Sequence, residues 1–266
     1  MYMDGRFDPG GAPSLRAFVS DTIRTVPGKR ADVFSTWDRR WKALGSGADF
    51  VPFQDHLGIA ALSIEFIGPN GYGFGTYHSN YDSRAYVEKV ADPDFGQGVV
   101  MARVLGALAL RMSEAAILPF RFAEYAERLG QTVADARKWA DESKIAVDAD
   151  AWLARVRQIE LAATHLAVLI DRRLEVEGGD FSALNDRLAR LEQKLADDDG
   201  AADSRWYRHV FYGWNIYSLY DGQMFPGLAT AMRRRDATRV QHEAARIERA
   251  LDRMHGELTA ASADVR

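Results

Sequence analysis

Leu57-Gly-Ile-Ala-Ala-Leu-Ser-Ile-Glu-Phe-Ile67 is a nearly continuous apolar run with β-branched and aromatic residues towards its end. Bounded by turn residues on both sides, it predicts a strand buried on both faces, the type found in mostly parallel sheets. The turn signals around it are Asp21, Gly28, Gly45-Ser-Gly47, Gly68-Pro-Asn-Gly-Tyr-Gly73 and Asp92-Pro-Asp94. Upstream, Ser14 to Thr25 predicts a short helix capped by Ser14 behind Pro13. Downstream, Gly98 to Leu118 predicts a long helix that stops at Pro119, which cannot continue it. Helix, strand, loop and helix in that order give residues 1–118 an α/β texture.

From Pro119 onward the pattern is helical. Leu184, Leu188, Leu191 and Leu195 step by 4, 3 and 4, which places them on one helix face. Val240, Ala244, Ile247, Leu251, Met254 and Leu258 repeat that stepping, and Ala151 to Leu174 predicts a third amphipathic helix ended by Gly178-Gly179. Such stripes are first of all core. Between the last helices, Arg205-Trp-Tyr-Arg-His-Val-Phe-Tyr212 and Tyr220-Asp-Gly-Gln-Met-Phe-Pro-Gly227 are aromatic-rich and non-periodic. They predict a long ordered loop, and ordered loops of that length tend to carry function. The fold class is therefore α/β plus all-α, an incomplete sheet domain over 1–118 followed by a helical bundle over 119–266.

Composition narrows the chemistry. The 266 residues hold 34 Lys+Arg against 38 Asp+Glu, a net charge of −4, which leaves no electrostatic footprint for nucleic acid or an anionic membrane. With no cysteine, disulfides, thiolate metal sites and cysteine nucleophiles are excluded. Met1 to Ser14 has neither the basic nor the apolar region of a signal peptide. Arg103, Arg111 and Glu114 make Gly98 to Phe120 a poor membrane span. Phosphate-loop, His-Glu-x-x-His and Gly-x-Ser-x-Gly motifs do not occur. Of the histidines, His78 stands apart, because it follows the glycine-rich Gly68–Gly75 loop, where sites gather in α/β proteins. A ligand and a structural residue are both open readings for it.

Four motifs then appear in register: Leu44-Gly-Ser-Gly-Ala-Asp-Phe50, Pro52-Phe-Gln-Asp-His-Leu-Gly-Ile59, Tyr77-His-Ser-Asn-Tyr-Asp82 and Asp92-Pro-Asp-Phe95. In order and in gaps they resemble the glutamate carboxypeptidase II and transferrin receptor family. Ile117-Leu-Pro-Phe120, Tyr207-Arg-His-Val-Phe-Tyr212 and Phe225-Pro-Gly-Leu228 resemble that family's helical dimerisation domain. The likeness runs from about Asp4 to Leu258.

The resemblance implies a co-catalytic two-zinc exopeptidase acting on peptides, with a homodimer formed through the helical domain. It implies that His78 ligates one zinc through a neutral imidazole and that Asp4 is a second ligand at a strand end. Tyr77 would donate to the developing oxyanion, and Ser46, Gly47 and Tyr220 would line the substrate pocket. The family's remaining ligands and its glutamate general base lie upstream of anything present, so the chain reads as the C-terminal portion of such an enzyme, inactive alone. The alternative is a non-catalytic, partner-binding protein of the receptor branch. Ser63, Glu65, Leu219 and Ala48 stand where glutamate-specific members carry arginines, a lysine and an asparagine. A cationic clamp replaced in this way implies a preference for neutral or apolar residues.

Overall fold

The computed structural model describes residues 5–29, 31–68, 76–200 and 204–265. The chain opens with β1 (Arg6–Gly11), a short turn over Pro13–Leu15, α1 (Arg16–Ile23) and α2 (Val33–Thr36). The apolar run chosen above forms only β2 (Leu62–Ile67), and it pairs antiparallel with β1, from Arg6 opposite Ile67 to Gly11 opposite Leu62. This corrects the expectation of a parallel strand covered on both faces. Phe66 and Ile67 are buried, but Leu62 to Ile64 are half-buried and Glu65 is exposed. Antiparallel pairs leave one face wet, and an apolar run by itself does not reveal which kind of sheet it enters. The run is also cut short. Gly58 adopts a φ of 66° against the backbone of Glu192 and Gln193, so residues 57–61 turn rather than extend.

Ser14 does not cap α1. Its hydroxyl is buried and donates to Glu192 Oε1 at 3.2 Å, a bond across the molecule that outcompetes a local one. After α3 (Arg84–Tyr86), α4 runs over Gly96–Ser113. Its first turn is held by Asp92, whose Oδ1 and Oδ2 accept from the backbone N–H groups of Gln97 and Gly98. It ends short of Pro119 because the Asn185 side chain captures the next segment, accepting from Leu118 N and donating to Ala116 O. Val100, Val104 and Leu108 pack inward, while Val99, Leu105 and Leu110 face outward. Among the described residues no single helix is long and apolar enough to cross a membrane.

The helical part follows its periodicity. It comprises α5 (Ala123–Ser143), α6 (Ala149–Leu174), α7 (Ser182–Arg190), α8 (Pro226–Arg234) and α9 (Ala237–Asp264), with α6 packed against both α5 and α9. The Leu184–Leu195 and Val240–Leu258 stripes are buried throughout, as their spacing requires. The segment expected as a loop contains a hairpin instead, β3 (Tyr212–Asn215) against β4 (Ser218–Met224). Asn215 makes its turn by accepting from Tyr217 N. Gly222 sits where a Cβ would strike the Ala43 carbonyl, and Gly213 packs against the Asp55 carboxyl.

Sheet, helices and hairpin share one contiguous core from Phe7 to Val265. At its centre is Glu192, in a short 3-10 turn over Glu192–Leu195 and only 2% exposed. Its carboxylate accepts from Ser14 Oγ, from Tyr125 OH at 3.1 Å and from Tyr212 OH at 2.9 Å, and it pairs with His209 Nε2 at 3.1 Å. Leaving buried donors unsatisfied costs about 1–3 kcal/mol each. Glu192→Ala should therefore lower unfolding stability in urea by about 3–5 kcal/mol, the size seen when a buried polar network loses its acceptor.

Candidate functional site

A cleft of about 810 Å³ opens between the β1–β2 sheet, the 39–50 segment, the first turns of α5 and the start of β4's Tyr220–Gly222 stretch. Its back is continuous backbone. Lys42 bridges to Gly10 in parallel and Leu44 bridges to Asp221 in antiparallel fashion, so the 42–44 segment joins β1 to β4. The chain then turns at Gly47, which holds a φ of 83°. A Cβ there would lie 2.7 Å from the Tyr220 ring, so only glycine lets the loop and the ring pack together.

Of the three pocket residues expected from sequence, Ser46 and Tyr220 line this cleft, and Gly47 packs against the Tyr220 ring. Ser46 is buried and lines the cleft with Ala48, Ser63, Glu65 and Tyr220. Tyr220 also reaches outward. Its hydroxyl is hydrogen-bonded to Tyr77, and that bond holds the Tyr77 phenol above its usual range. Tyr77 stacks on His78 with ring centroids 3.8 Å apart. His78 adopts a left-handed φ of 59°, a costly conformation for a non-glycine residue, inside a turn where Ser79 N bonds Thr76 O. Asp4 and residues 69–75 lie outside the described residues, as does the Leu219 side chain.

No metal cluster accompanies His78. Among the described residues no group of three or more His, Asp or Glu is placed to hold an ion. One exposed imidazole stacked on a phenol is not a zinc donor set, since zinc takes at least three protein ligands in catalytic sites.

Apart from Glu65, the paired charges of the cleft come from residues that no motif singled out. The Lys42 ammonium pairs with Asp8 and lies 3.3 Å from Glu65 Oε1. Burial alone would depress the lysine, but the bond to Asp8 and the two carboxylates together raise it. On the opposite wall Arg16 pairs with Glu124 at 3.5 Å, and burial pushes the Glu124 carboxyl up. These pairs join residues far apart in sequence, so no local spacing advertised them. A further acid was hidden inside a motif: Asp55, fully buried, is pushed up to about 7 by desolvation, against the lowering bond from Gln54.

A family model for the transferrin receptor-like dimerisation domain matches residues 122–259. The chain is 31% identical over 217 residues to "Probable glutamate carboxypeptidase LAMP1" of Arabidopsis thaliana, covering 78% of this chain and 30% of that protein. It is 26% identical to "Probable glutamate carboxypeptidase AMP1" of the same plant, over 93% of this chain and 36% of the relative. With "Aminopeptidase NAALADL1" of Rattus norvegicus it shares 27% identity, over 78% of this chain and 29% of the relative. The chain thus spans about a third of the length of these curated relatives.

The tyrosine pair is testable on its own. In Tyr220→Phe the Tyr77 phenol loses the partner that raises it, so its ultraviolet titration should move to lower pH. Gly47→Ala forces strain and a ring clash, so it should displace Tyr220, produce the same downward move and cost about 1–3 kcal/mol in stability.

Proposed function

This chain belongs to the glutamate carboxypeptidase II and transferrin receptor family, and from that premise we propose that it is the C-terminal portion of a zinc-dependent exopeptidase, silent in hydrolysis by itself. The observation that carries the reading is that Tyr220, which lines one cleft with Ser46, also packs against Gly47 and hydrogen-bonds Tyr77, residues distant from it in sequence. In this reading residues 1–118 belong to the peptidase domain and 119–266 form the helical dimerisation domain. Tyr77 supplies a phenolic donor to the carbonyl under attack, and Ser46, Gly47 and Tyr220 shape the pocket for the substrate's terminal residue.

Zinc in the complete protein would take His78 and Asp4 with ligands from elsewhere. The donors among the described residues do not fit the ion by themselves.

Two surface features support an incomplete peptidase domain. Among the described residues the β1–β2 sheet has two strands, against roughly four to six in an ordinary sheet. The apolar outer face of α4, with Val99, Leu105 and Leu110, is that of a helix meant to be covered. Both fit a protein about three times as long, like the relatives. Selectivity follows from the cleft's charges. Lys42 is engaged by Asp8 and Glu65, so that cation is not free for a substrate carboxylate, although Arg39 and Arg128 also line the cleft. Neutral or apolar side chains suit that wall better than glutamate. A two-fold homodimer through the helical part accords with the matched dimerisation domain and with the commonest symmetry of oligomers.

Two measurements test the reading. Light scattering on the purified chain should give about twice 29.7 kDa, and a strict monomer would contradict the dimer. The chain alone should release no amino acid from neutral peptides. Joined behind the N-terminal two-thirds of a plant relative, it should hydrolyse them in a zinc-dependent way, with Tyr77→Phe reducing kcat by roughly 10²–10³-fold. Hydrolysis by the chain alone, or full activity in Tyr77→Phe, would contradict the assignment.

A further inference from the structure

We propose that Asp55 is a proton-operated latch beneath the β3–β4 hairpin, closing the hairpin onto the cleft when neutral and releasing it, with Tyr220, when charged. The carboxyl sits in the turn over Pro52–His56 and is 1% exposed. Its Oδ1 accepts from Gln54 Nε2 at 2.8 Å, but Oδ2 has no partner, and the Oε1 of the equally buried Gln54 has none either. Two acceptors on neighbouring side chains are thus buried without a donor for either. A proton on the carboxyl is the smallest change that makes one of them a donor and removes the charge. An unpaired charge in that place carries a large desolvation cost.

Among the described residues no cation is placed to compensate it. From its own turn Asp55 is faced by Gln54, while the neighbouring His56 ring is turned outward, stacked on Trp206 with Nδ1 2.8 Å from Trp206 O. From the 205–212 segment it is faced by the phenols of Tyr207 and Tyr212, both of which its charge would raise. The Arg208 guanidinium is engaged by Asp198, and Glu192 lies beyond Tyr212. From β3 comes Gly213, where a Cβ would meet Oδ1 at 3.3 Å, and from the 42–44 segment comes the Leu44 carbonyl beside Gln54. Burial accordingly holds the acid up at about 7, so the proton leaves within the physiological range.

The mechanical link is short. The Asp55 carbonyl accepts from Arg208 N at 2.6 Å and from His209 N at 3.1 Å, so the chain entering β3 hangs on this residue. Gly213 pairs with Gln223 of β4, and β4 carries Tyr220 to Tyr77 and Asp221 to Leu44. When the proton is lost to water, hydrating the carboxylate requires Gly213 to move away, and Tyr220 moves with it. The sign follows from the raised value. Stability from the closed hairpin is complete below the unfolded-state value near 4 and declines as pH rises to about 7.

The test uses the whole chain titrated from about pH 5 to about pH 9, a range that brackets the ordinary histidine and raised carboxyl values. Tryptophan emission, from a hairpin that carries Trp214, should show a one-proton transition centred at about 7. Carbon-13 NMR of labelled aspartate carboxyls should show one buried acid titrating with the same midpoint. Asp55→Asn should abolish the transition and stay closed throughout, whereas His56→Gln should keep it. A transition that survives Asp55→Asn, or is lost in His56→Gln, would overturn the proposal. So would an NMR midpoint near 4 for every carboxyl, which decides the matter even if Asp55→Asn does not fold.

Discussion

The Glu192 carboxylate is the point at which the sheet, the helical bundle and the hairpin are fastened together. Its four partners come from the turn before α1, from α5, from the segment leading into β3 and from the first residue of β3 itself. A buried carboxylate is tolerated only when its lone pairs are filled, and charge-assisted bonds from several donors achieve that. The same charge, added to burial, pushes the Tyr125 and Tyr212 phenols well above their usual range, so both remain donors at any pH the protein meets. Because Ser14 and Tyr212 bond the same carboxyl, the sheet and the hairpin are set at a fixed distance.

Other buried acids show how strongly the outcome depends on partners. Glu243, beneath Gly227 at the start of α8, is answered by the fully buried Arg246 at 2.6 Å, and a side chain at Gly227 would strike its carboxylate. Both residues of the pair lie on α9, so it braces that helix where Gly227 of α8 packs on it. Asp55 has no such answer. Glu243 thus has cationic partners on its own helix, whereas Asp55, with none among the described residues, is the adjustable acid. The adjustable acid lies under the hairpin, on the side that carries Tyr220.

The helical half was legible because burial there repeats with the helix itself. Leu184 through Leu195 and Val240 through Leu258 are inside since each falls on the face that meets a neighbouring helix. The first half was less legible for a physical reason. Residues 57–67 are apolar for several distinct purposes, some turning over Gln193, some pairing with β1 and some entering the core, and hydropathy does not separate these. Ser14 has the right chemistry for a cap, yet Glu192, 178 positions away, offers a better acceptor. At the candidate site, the order of the motifs brought out Ser46, Gly47, Tyr77 and Tyr220. The pairs that set its charge, Lys42 with Asp8 and Arg16 with Glu124, exist only after folding.

If Glu192 makes sheet, hairpin and bundle one cooperative unit, their most protected amides must open together. Native-state hydrogen exchange at increasing urea measures this directly, because each amide reports the free energy of the opening that exposes it. The slowest amides of β1, α1, α5 and α9 should converge on a single opening free energy with a single denaturant slope. A separate, lower-energy opening of β1 and α1 while α5 and α9 stay protected would contradict the account.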